Sequence, residues 1–290
     1  MRHIPVLAKE ILENLSEDMS VFMDGTIGHG GHIEYFFSNG NFDNTLFVAV
    51  DRDAQMLKKA KSYLTSFGDK IIFQNNNYSD LENISKNIGD KKFDGILLDL
   101  GVNMDHFKLS DRGFSIKKDG NLDMRFDSSS QYSAYDFLNN GNRSDISQAF
   151  NKYGDFTTKF ADYMADCIIG ERKKSKLSTT FDFVNLLKNI GLGTKKISVV
   201  FQCVRIVVNN ELGHLEKFLD NFGSYLNSGG KCFIITYHSI EDRIVKYKFK
   251  DKSRIGNFQL INKKVIKPSY QEIQKNNASR SAKLRIIKAL

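Results

Sequence analysis

The sequence predicts an α/β fold in which a parallel sheet is interrupted by an inserted all-helical domain. Short apolar runs bounded by turn residues alternate with helical patterns in residues 21–100, which is typical of βαβ units. The next apolar run comes only after residues 101–230, although a crossover between parallel strands needs about a dozen residues. That interval lacks a convincing strand and carries apolar residues at three- and four-residue spacing, which predicts helices.

The individual elements follow from this pattern in chain order. Five strands are predicted, at residues 21–24, 46–51, 70–74, 93–100 and 231–237. Helices of the sheet domain are predicted at 54–67 and 81–88, with a crossover helix within 211–226. Helices of the insert are predicted at 133–139, 144–152, 159–169 and 180–190. We therefore expect a sheet domain of residues 1–104 and 206–290 around a helical domain of residues 105–205.

The composition is that of an ordinary globular protein, with 41% hydrophobic and 26% charged residues. No apolar run approaches the roughly 18–20 residues of a membrane span, and Lys9 and Glu10 come too early for a signal peptide. The cysteines Cys167, Cys203 and Cys232 form no C-x-x-C pair, so we expect reduced thiols in a cytoplasmic protein. The six histidines form no H-x-x-x-H pair, so no metal site is expected.

The basic excess of the chain lies at its C-terminal end. Residues 241–290 hold 14 Lys and Arg against 4 Asp and Glu, whereas the rest of the chain is slightly acidic. Such a segment suits a polyanion, and nucleic acid is the natural partner, although a solvated lysine-rich tail would have the same charge. Cations alternate with small and apolar residues in 280–285, which favours docking, so 241–290 is interpreted as an RNA-facing segment within the sheet domain.

The most informative motif is the run DGTIGHGGH at residues 24–32, taken together with Asp51 at the end of the second predicted strand. In folds of this kind, glycines let the backbone approach a nucleotide-like ligand, helix N–H groups face its anionic part, and the acid binds ribose hydroxyls. A dinucleotide fingerprint would need glycine where the chain has Ile33, which disfavours a nicotinamide enzyme. The acid-led turn is more similar to the first motif of S-adenosylmethionine (SAM) methyltransferases, with a purely structural glycine turn as the alternative.

Polar residues follow the other predicted strands at the same edge of the sheet. Asp53 precedes the helix at residue 54 and is a candidate N-cap. Tyr78 follows the third strand, where it would either stack on an adenine or pack on its own loop. Asp99 ends the fourth strand, where amino-group methyltransferases place acceptors that localise the lone pair of an amine. No proline-proline-aromatic tip follows Asp99, which argues against the DNA amino-methyltransferases and leaves the methylated atom open.

Three further runs are rich in charges and glycines, and loops of this kind usually bind a ligand. They are DRGFS at 111–115, DGNLDMRFD at 119–127 and YHSIEDR at 237–243. His238 and Ser239 near an acid are similar to part of a hydrolase site, but the nucleophile elbow G-x-S-x-G is absent.

Together these motifs resemble the bacterial 16S ribosomal RNA (cytosine-N4)-methyltransferase family. The resemblance covers nearly the whole chain, and its longest motifs, LDMR at 122–125 and HSIEDR at 238–243, are specific. The other motifs that carry it are HIPVL (3–7), DGTIGHGGH (24–32), FDGILLDLGV (93–102), DRGFS (111–115), FQ (201–202), RI (205–206), VN (208–209), EL (211–212) and SAKLR (281–285). The resemblance implies a SAM-methyltransferase (Rossmann-like) sheet with an inserted all-helical domain, which methylates the N4 amine of a cytidine in the decoding region of 16S rRNA.

The resemblance also implies roles for particular residues. Cofactor contacts with SAM are expected from Gly30, Gly31, His32, Asp51, Tyr78, Asp99 and His106. Catalytic roles are expected for Asp99, Asp123 and His238, in a substrate pocket that includes Asp242. Contacts with 16S rRNA in the small ribosomal subunit are expected from Arg112, Arg125, Arg243, Arg280, Lys283 and Arg285.

The chain departs from the family pattern at three positions. Tyr78 stands where Phe is usual, His106 where Gln is usual, and Val199 where the family carries an arginine that could face phosphate. These departures leave an alternative open, in which the protein is a catalytically weak or inactive rRNA-binding ribosome-assembly factor. Binding of SAM without methyl transfer would distinguish that alternative from the enzyme.

Overall fold

The computed structural model describes residues 4–108 and 110–290, so His3 of the HIPVL motif lies outside the described residues. The chain forms two compact units. The sheet unit contains the chain up to Gly101 together with Gly213–Leu290, and the inserted unit is Val102–Leu212. The insert therefore extends beyond residue 205, because the long helix that ends at Val208 packs on the other helices of the insert.

Seven strands form one sheet in the sheet unit. They are β1 (Val21–Asp24), β2 (Leu46–Asp51), β3 (Ile71–Asn75), β4 (Phe93–Asp99), β5 (Leu226–Thr236), β6 (Phe258–Leu260) and β7 (Lys283–Ala289). Their order is β3-β2-β1-β4-β5-β7-β6, in which β1 to β5 run parallel and β7 is antiparallel to β5 and β6. The chain order reverses between β1 and β4, which makes their carboxyl ends the switch point where α/β sheets bind ligands.

The helices, in chain order, are α1 (Ala8–Leu12), α2 (Gly31–Asn39), α3 (Ala54–Tyr63), α4 (Leu81–Lys86), α5 (Met104–Lys108), α6 (Ala134–Asn140), α7 (Arg143–Gly154), α8 (Thr158–Lys174), α9 (Thr180–Asn189), α10 (Thr194–Val208), α11 (Glu211–Asn221), α12 (Ser239–Ile255) and α13 (Tyr270–Lys275). No helix within the described ranges is long and apolar enough to cross a membrane.

The sheet buries an apolar cluster on each face, because successive residues of a strand point to opposite sides. Val21 and Met23 belong to the cluster that α4, α11 and α12 cover, and Phe22 belongs to the cluster that α1, α2 and α3 cover. Phe22 is fully buried, and its ring centroid lies 5.7 Å from those of both Phe36 and Phe47. This packing fixes β1, and therefore the turn that follows it, at the centre of the sheet.

The inserted unit has an apolar cluster of its own, to which α6 to α10 contribute. Its helices begin where the sequence supplies capping side chains. Ser133 and Thr179 form capping boxes with Asp136 and Asp182, and Thr157 caps α8.

The α/β fold with a helical insert, predicted from the sequence, is confirmed. β1 and β2 have the predicted bounds, whereas β5 begins at Leu226 instead of residue 231. β6, β7 and α10 are not predicted by the sequence patterns. The sequence KLRIIKA of β7 alternates cations with apolar residues, which resembles a basic docking segment as much as a strand.

The predicted N-cap of α3 is present, because the Asp53 carboxylate accepts the backbone N–H groups of Gln55 and Met56 at 2.9 and 3.3 Å. We expect Asp53→Ala to lower the free energy of unfolding by about 1 kcal/mol, the usual contribution of such a cap. Urea denaturation checks this, with Asp18→Ala at an exposed position as the control that changes stability by less than about 0.5 kcal/mol. Equal effects of the two substitutions would contradict the capping role.

Candidate active site

Three carboxyl groups lie at the carboxyl ends of neighbouring parallel strands. Asp24 ends β1, Asp51 ends β2 and Asp99 ends β4. The three groups are close enough for the charges of Asp51 and Asp99 to act on Asp24. The acids that the sequence singles out are therefore gathered at the ligand-binding edge of the sheet.

Asp51 shapes the glycine turn that follows β1. Its Oδ2 accepts the backbone N–H of Gly28 at 3.0 Å, and its Oδ1 accepts the backbone N–H of Asp53 at 2.9 Å. Gly28 and Gly30 adopt φ angles of 52° and 84°, which favour glycine. A Cβ atom at Gly30 would also lie 2.6 Å from the side chain of Leu64. The turn thus requires glycine and leaves its backbone open to a ligand.

The carboxylate of Asp51 keeps acceptor capacity for that ligand. Each oxygen of an ionised carboxylate has two lone-pair sites, and the turn uses one on each oxygen. Burial raises the pKa of Asp51 to about 6, while its backbone hydrogen bonds oppose the increase. Asp51 is therefore largely ionised at neutral pH and suited to accept two ribose hydroxyls.

The residues after the turn form the start of α2. Gly31 is its first residue, and helix N-termini present free N–H groups that suit an anionic part of a ligand. His32 has a different contact, because its ring Nε2 donates to the carbonyl of Val6 at 3.0 Å. Burial lowers the pKa of His32 to about 4, so the ring is neutral and joins the N-terminal segment to α2.

Tyr78 is buried beside the glycine turn. Its ring packs edge-on against Phe218 of α11, with centroids 5.8 Å apart. A Cβ atom at Gly25 would lie 3.0 Å from the Cβ atom of Tyr78. The ring is therefore held by α11 at the edge where an adenine would lie, which is compatible with both roles expected from the sequence.

Asp99 is held from two sides. Its backbone N–H donates to Thr26 Oγ1 at 2.7 Å, and its Oδ1 accepts the hydroxyl of Tyr237 at 2.8 Å. Burial and the charge of Asp99 raise the pKa of Tyr237 well above its ordinary value, so the hydroxyl stays a donor. The ring of Tyr237 covers Gly101, where an added Cβ would lie 3.1 Å away.

Tyr237 is a site residue to which sequence reasoning assigned no role. It is the first residue after β5, so its position at the carboxyl edge of a parallel strand is the signal that could have found it. The catalytic expectation fell on the neighbouring His238 instead, because the HSIEDR motif of the resemblance begins there.

His238 caps α12. Its Nδ1 accepts the backbone N–H of Glu241 at 3.4 Å, and its Nε2 lies 3.0 Å from Glu241 Oε1. Glu241 is itself buried and accepts the N–H of Tyr237. These contacts give His238 a structural role at the start of the helix, and the catalytic role expected from the resemblance stays a prediction.

Asp242 is paired with two cations of β7. Its Oδ1 accepts Arg285 Nε at 2.7 Å, and its Oδ2 accepts Lys283 Nζ at 3.2 Å. Although burial acts in the opposite direction, these two partners lower the pKa of Asp242. Lys283 and Arg285 therefore join β7 to α12, which corrects their expected availability to RNA. Arg243 and Arg280 are exposed.

In the inserted unit, His106 lies in an aromatic cluster. Its ring centroid is 5.0 Å from that of Phe114 and 5.2 Å from that of Phe126, and the ring is buried. The two phenylalanines belong to the DRGFS and LDMRF runs and stack on each other at 5.4 Å. The residue expected to contact the cofactor therefore packs the two charged loops of the insert together.

The LDMR loop of the insert is held by an ion pair. Arg125 donates Nε to Asp123 Oδ1 at 2.9 Å and Nη2 to Asp123 Oδ2 at 2.6 Å, and its Nη1 donates to the carbonyl of Ser130. Such a fork-to-fork pair orients both side chains. Asp123, which is expected to be catalytic, thus uses both carboxylate oxygens to pair with Arg125.

Two further side chains hold the backbone of the same loop. Arg112 is buried and donates to the carbonyls of Arg125 and Phe126 at 2.9 and 3.1 Å. Asn209 accepts the N–H of Phe126 and donates to the carbonyl of Met124, both at 2.7 Å. Arg112 therefore has a structural role, which replaces the RNA contact expected from its charge.

The edge of the sheet fits SAM. A largely ionised Asp51 suits ribose hydroxyls, and three neighbouring carboxyl groups suit a ligand that carries positive charge. Asp24 Oδ2 is buried and has no hydrogen-bond partner among the described residues, so this edge contains an unsatisfied hydrogen-bond acceptor. Across residues 4–108 and 110–290, no three His, Cys, Asp or Glu side chains are grouped to hold a metal ion.

A parallel sheet of this order, with an acid-led glycine turn after β1 and an acid at the end of β2, is the arrangement expected of a SAM-dependent methyltransferase. Comparison with known proteins identifies the particular family. The chain belongs to the MraW methylase family, whose model matches residues 1–290.

Individual relatives match over nearly the whole chain. Ribosomal RNA small subunit methyltransferase H of Leptospira interrogans is 38% identical over 299 residues, with 99% of this chain and 88% of the relative covered. The protein of the same name from Finegoldia magna is 35% identical over 308 residues, with 98% and 97% covered. Among solved structures, an rRNA methylase from Streptococcus thermophilus matches at a TM-score of 0.40 and 13% identity, covering 98% of this chain and 93% of that one.

The hydrogen bond from Tyr237 to Asp99 generates a prediction about activity. A hydrogen bond to a charged group contributes about 1.5–3 kcal/mol, so we expect Tyr237→Phe to lower kcat for methyl transfer about 10- to 100-fold. The retained ring should leave the KM for RNA unchanged, while loss of the buried hydrogen bond lowers the melting temperature without unfolding the protein at the assay temperature. Steady-state methylation with labelled SAM measures the split between kcat and KM.

Tyr225→Phe is the matched control, because Tyr225 immediately precedes β5 and lies at the opposite end of the strand from Tyr237. It should leave kcat unchanged. A Tyr237→Phe variant with normal kcat would show that the hydroxyl does not position Asp99.

Proposed function

We propose that this protein transfers the methyl group of SAM to the N4 amine of a cytidine in the decoding region of 16S rRNA, within the small ribosomal subunit. The observation that carries the proposal is the full-length match to relatives named ribosomal RNA small subunit methyltransferase H, combined with Asp99 at the switch point. A cytoplasmic site of action follows from that substrate.

The chemistry of the amine explains what the site has to supply. SAM provides an electrophilic methyl group on a sulfonium. The exocyclic amine of cytosine is a poor nucleophile because its lone pair is delocalised into the ring. An acceptor for the amine hydrogens localises that lone pair on the nitrogen. Holding the nitrogen in line with the methyl–sulfur bond further lowers the barrier to transfer.

Asp99 is the residue proposed to accept from the amine. Its Oδ1 already accepts from Tyr237, which fixes the plane of the carboxylate. A proton becomes acidic on the nitrogen only once the methyl group is bound, so positioning contributes more than a strong base. Asp99 is therefore the residue proposed to contact the amine. Asp123 orients the LDMR loop through its pair with Arg125, and His238 caps α12.

Replacement of Asp99 tests this assignment. We expect Asp99→Asn to lower methyl transfer by about 10²-fold or more, because one hydrogen-bond acceptor becomes a donor at the reacting amine. The assay uses labelled SAM and small subunits that lack the modification, followed by nucleoside mass spectrometry for N4-methylcytidine. Asp90→Asn, at an exposed turn before β4, is the control that should keep full activity.

The outcomes separate the enzyme from its alternative. N4-methylcytidine formed by the wild-type protein supports the proposal, and a methyl group found on another atom would overturn its N4 assignment. SAM binding with no methylated product would instead support an rRNA-binding assembly factor. Normal turnover by Asp99→Asn would remove Asp99 from the reaction.

The RNA is proposed to contact the exposed cations of the C-terminal segment. Arg243 lies in the second turn of α12, the helix that starts beside the site, and Arg280 lies in the 3-10 turn that precedes β7. Both side chains are exposed and therefore available to phosphate, unlike Lys283 and Arg285.

We expect Arg243→Ala and Arg280→Ala each to weaken binding to small-subunit RNA and to reduce the slope of log K against log salt by about 1. Lys58→Ala, an exposed cation on α3, should leave that slope unchanged. Filter binding across a series of salt concentrations provides the measurement. Unchanged slopes for both arginine variants would mean that these side chains do not contact phosphate.

A further inference from the structure

One carboxyl group at the site is neither exposed nor fully hydrogen-bonded. Asp24 has 1% of its surface exposed, and its Oδ1 accepts the backbone N–H of Thr26 at 3.1 Å. Its Oδ2 is buried and has no partner among the residues that the structure describes. A negative charge in this position is unfavourable without a partner, so the group is expected to be neutral or to face a ligand.

The surroundings of Asp24 disfavour its charge further. Asp51 faces it from β2 and Asp99 faces it from β4, and both add like charge. Arg52 acts on Asp51, and Tyr237 after β5 donates to Asp99. Burial, with the two carboxylates as smaller contributions, raises the pKa of Asp24 to about 8.

We propose that Asp24 carries a proton in the cofactor-free protein and loses it when a cationic cofactor binds, so that this carboxyl makes the site selective for the charged methyl donor over its neutral product. The inference rests on the cofactor assignment and does not depend on the RNA substrate.

The charge balance of the ligands supports this role. SAM carries a sulfonium, an ammonium and a carboxylate, whereas S-adenosylhomocysteine lacks the sulfonium charge. A positive charge at an edge with three carboxyl groups stabilises their ionised forms. The Asp24 O–H bond then breaks and its proton passes to the solvent. When the neutral product replaces the donor, the carboxylate takes one proton back from the solvent.

The role is tested by counting protons during binding, without RNA. Titration calorimetry at pH 7 in buffers of different ionisation enthalpy gives the number of protons released. From a pKa of about 8, we expect about 0.9 proton released with SAM and clearly fewer with S-adenosylhomocysteine. Sinefungin, which carries an amine cation in place of the sulfonium, should behave like SAM.

The affinity should depend on pH in the corresponding direction. Because the complex holds the ionised carboxyl and the free pKa is about 8, the Kd for SAM should fall about tenfold from pH 6 to 7 and about fivefold from pH 7 to 8. The Kd for S-adenosylhomocysteine should change much less over this range. Asp24→Asn should remove both the proton release and this slope, while the exposed control Asp18→Asn should keep both.

Several results would overturn the inference. These are tight SAM binding without proton release, equal release with SAM and S-adenosylhomocysteine, or an Asp24→Asn variant that still releases a proton. If that variant fails to fold, the wild-type comparison of the three ligands decides alone. Failure of the wild-type protein to bind any of them would overturn the cofactor assignment as well.

Discussion

The carboxylate of Asp51 joins the glycine turn after β1 to the segment that follows β2. A chain that passes through φ angles of 52° and 84° turns its N–H groups away from regular pairing, and these groups need acceptors. The carboxylate of Asp51 accepts two backbone N–H groups, that of Gly28 in the turn and that of Asp53. The side chain of Asp53 itself caps α3. One side chain thus joins the turn to the next helix, so these parts cannot shift independently.

A second set of contacts extends this dependence across the sheet. Thr26 of the same turn accepts the N–H of Asp99, and Tyr237 after β5 donates to its carboxylate. Because β1, β4 and β5 run parallel, all three segments begin at one edge and can reach one another. The same arrangement forces several carboxyl groups together away from water, which is unfavourable for the protein alone and favourable for a cationic ligand.

The sequence predicts this edge well because its signals are local. Short apolar runs predict β1 and β2, an acid before a helical pattern predicts the cap at Asp53, and the motifs carry the family resemblance. The C-terminal strand is less predictable, since β7 pairs with β5 across about fifty residues of sequence and contains three cations, Lys283, Arg285 and Lys288. A sequence lists charges without their partners, so Arg112 is indistinguishable from an RNA-binding arginine until its buried carbonyl contacts are seen.

The same distinction changes how the basic C-terminal segment should be interpreted. The segment contains 14 cations and 4 acids, but this count overstates the positive charge available to RNA, because Asp242 pairs with both Lys283 and Arg285. Arg243 lies four residues after Ser239, the first residue of α12, which corresponds to about 6 Å of helix rise. A phosphate bound there would be connected to Asp99 through one short segment of chain. RNA binding and placement of the base at Asp99 would therefore depend on the same junction between β5 and α12.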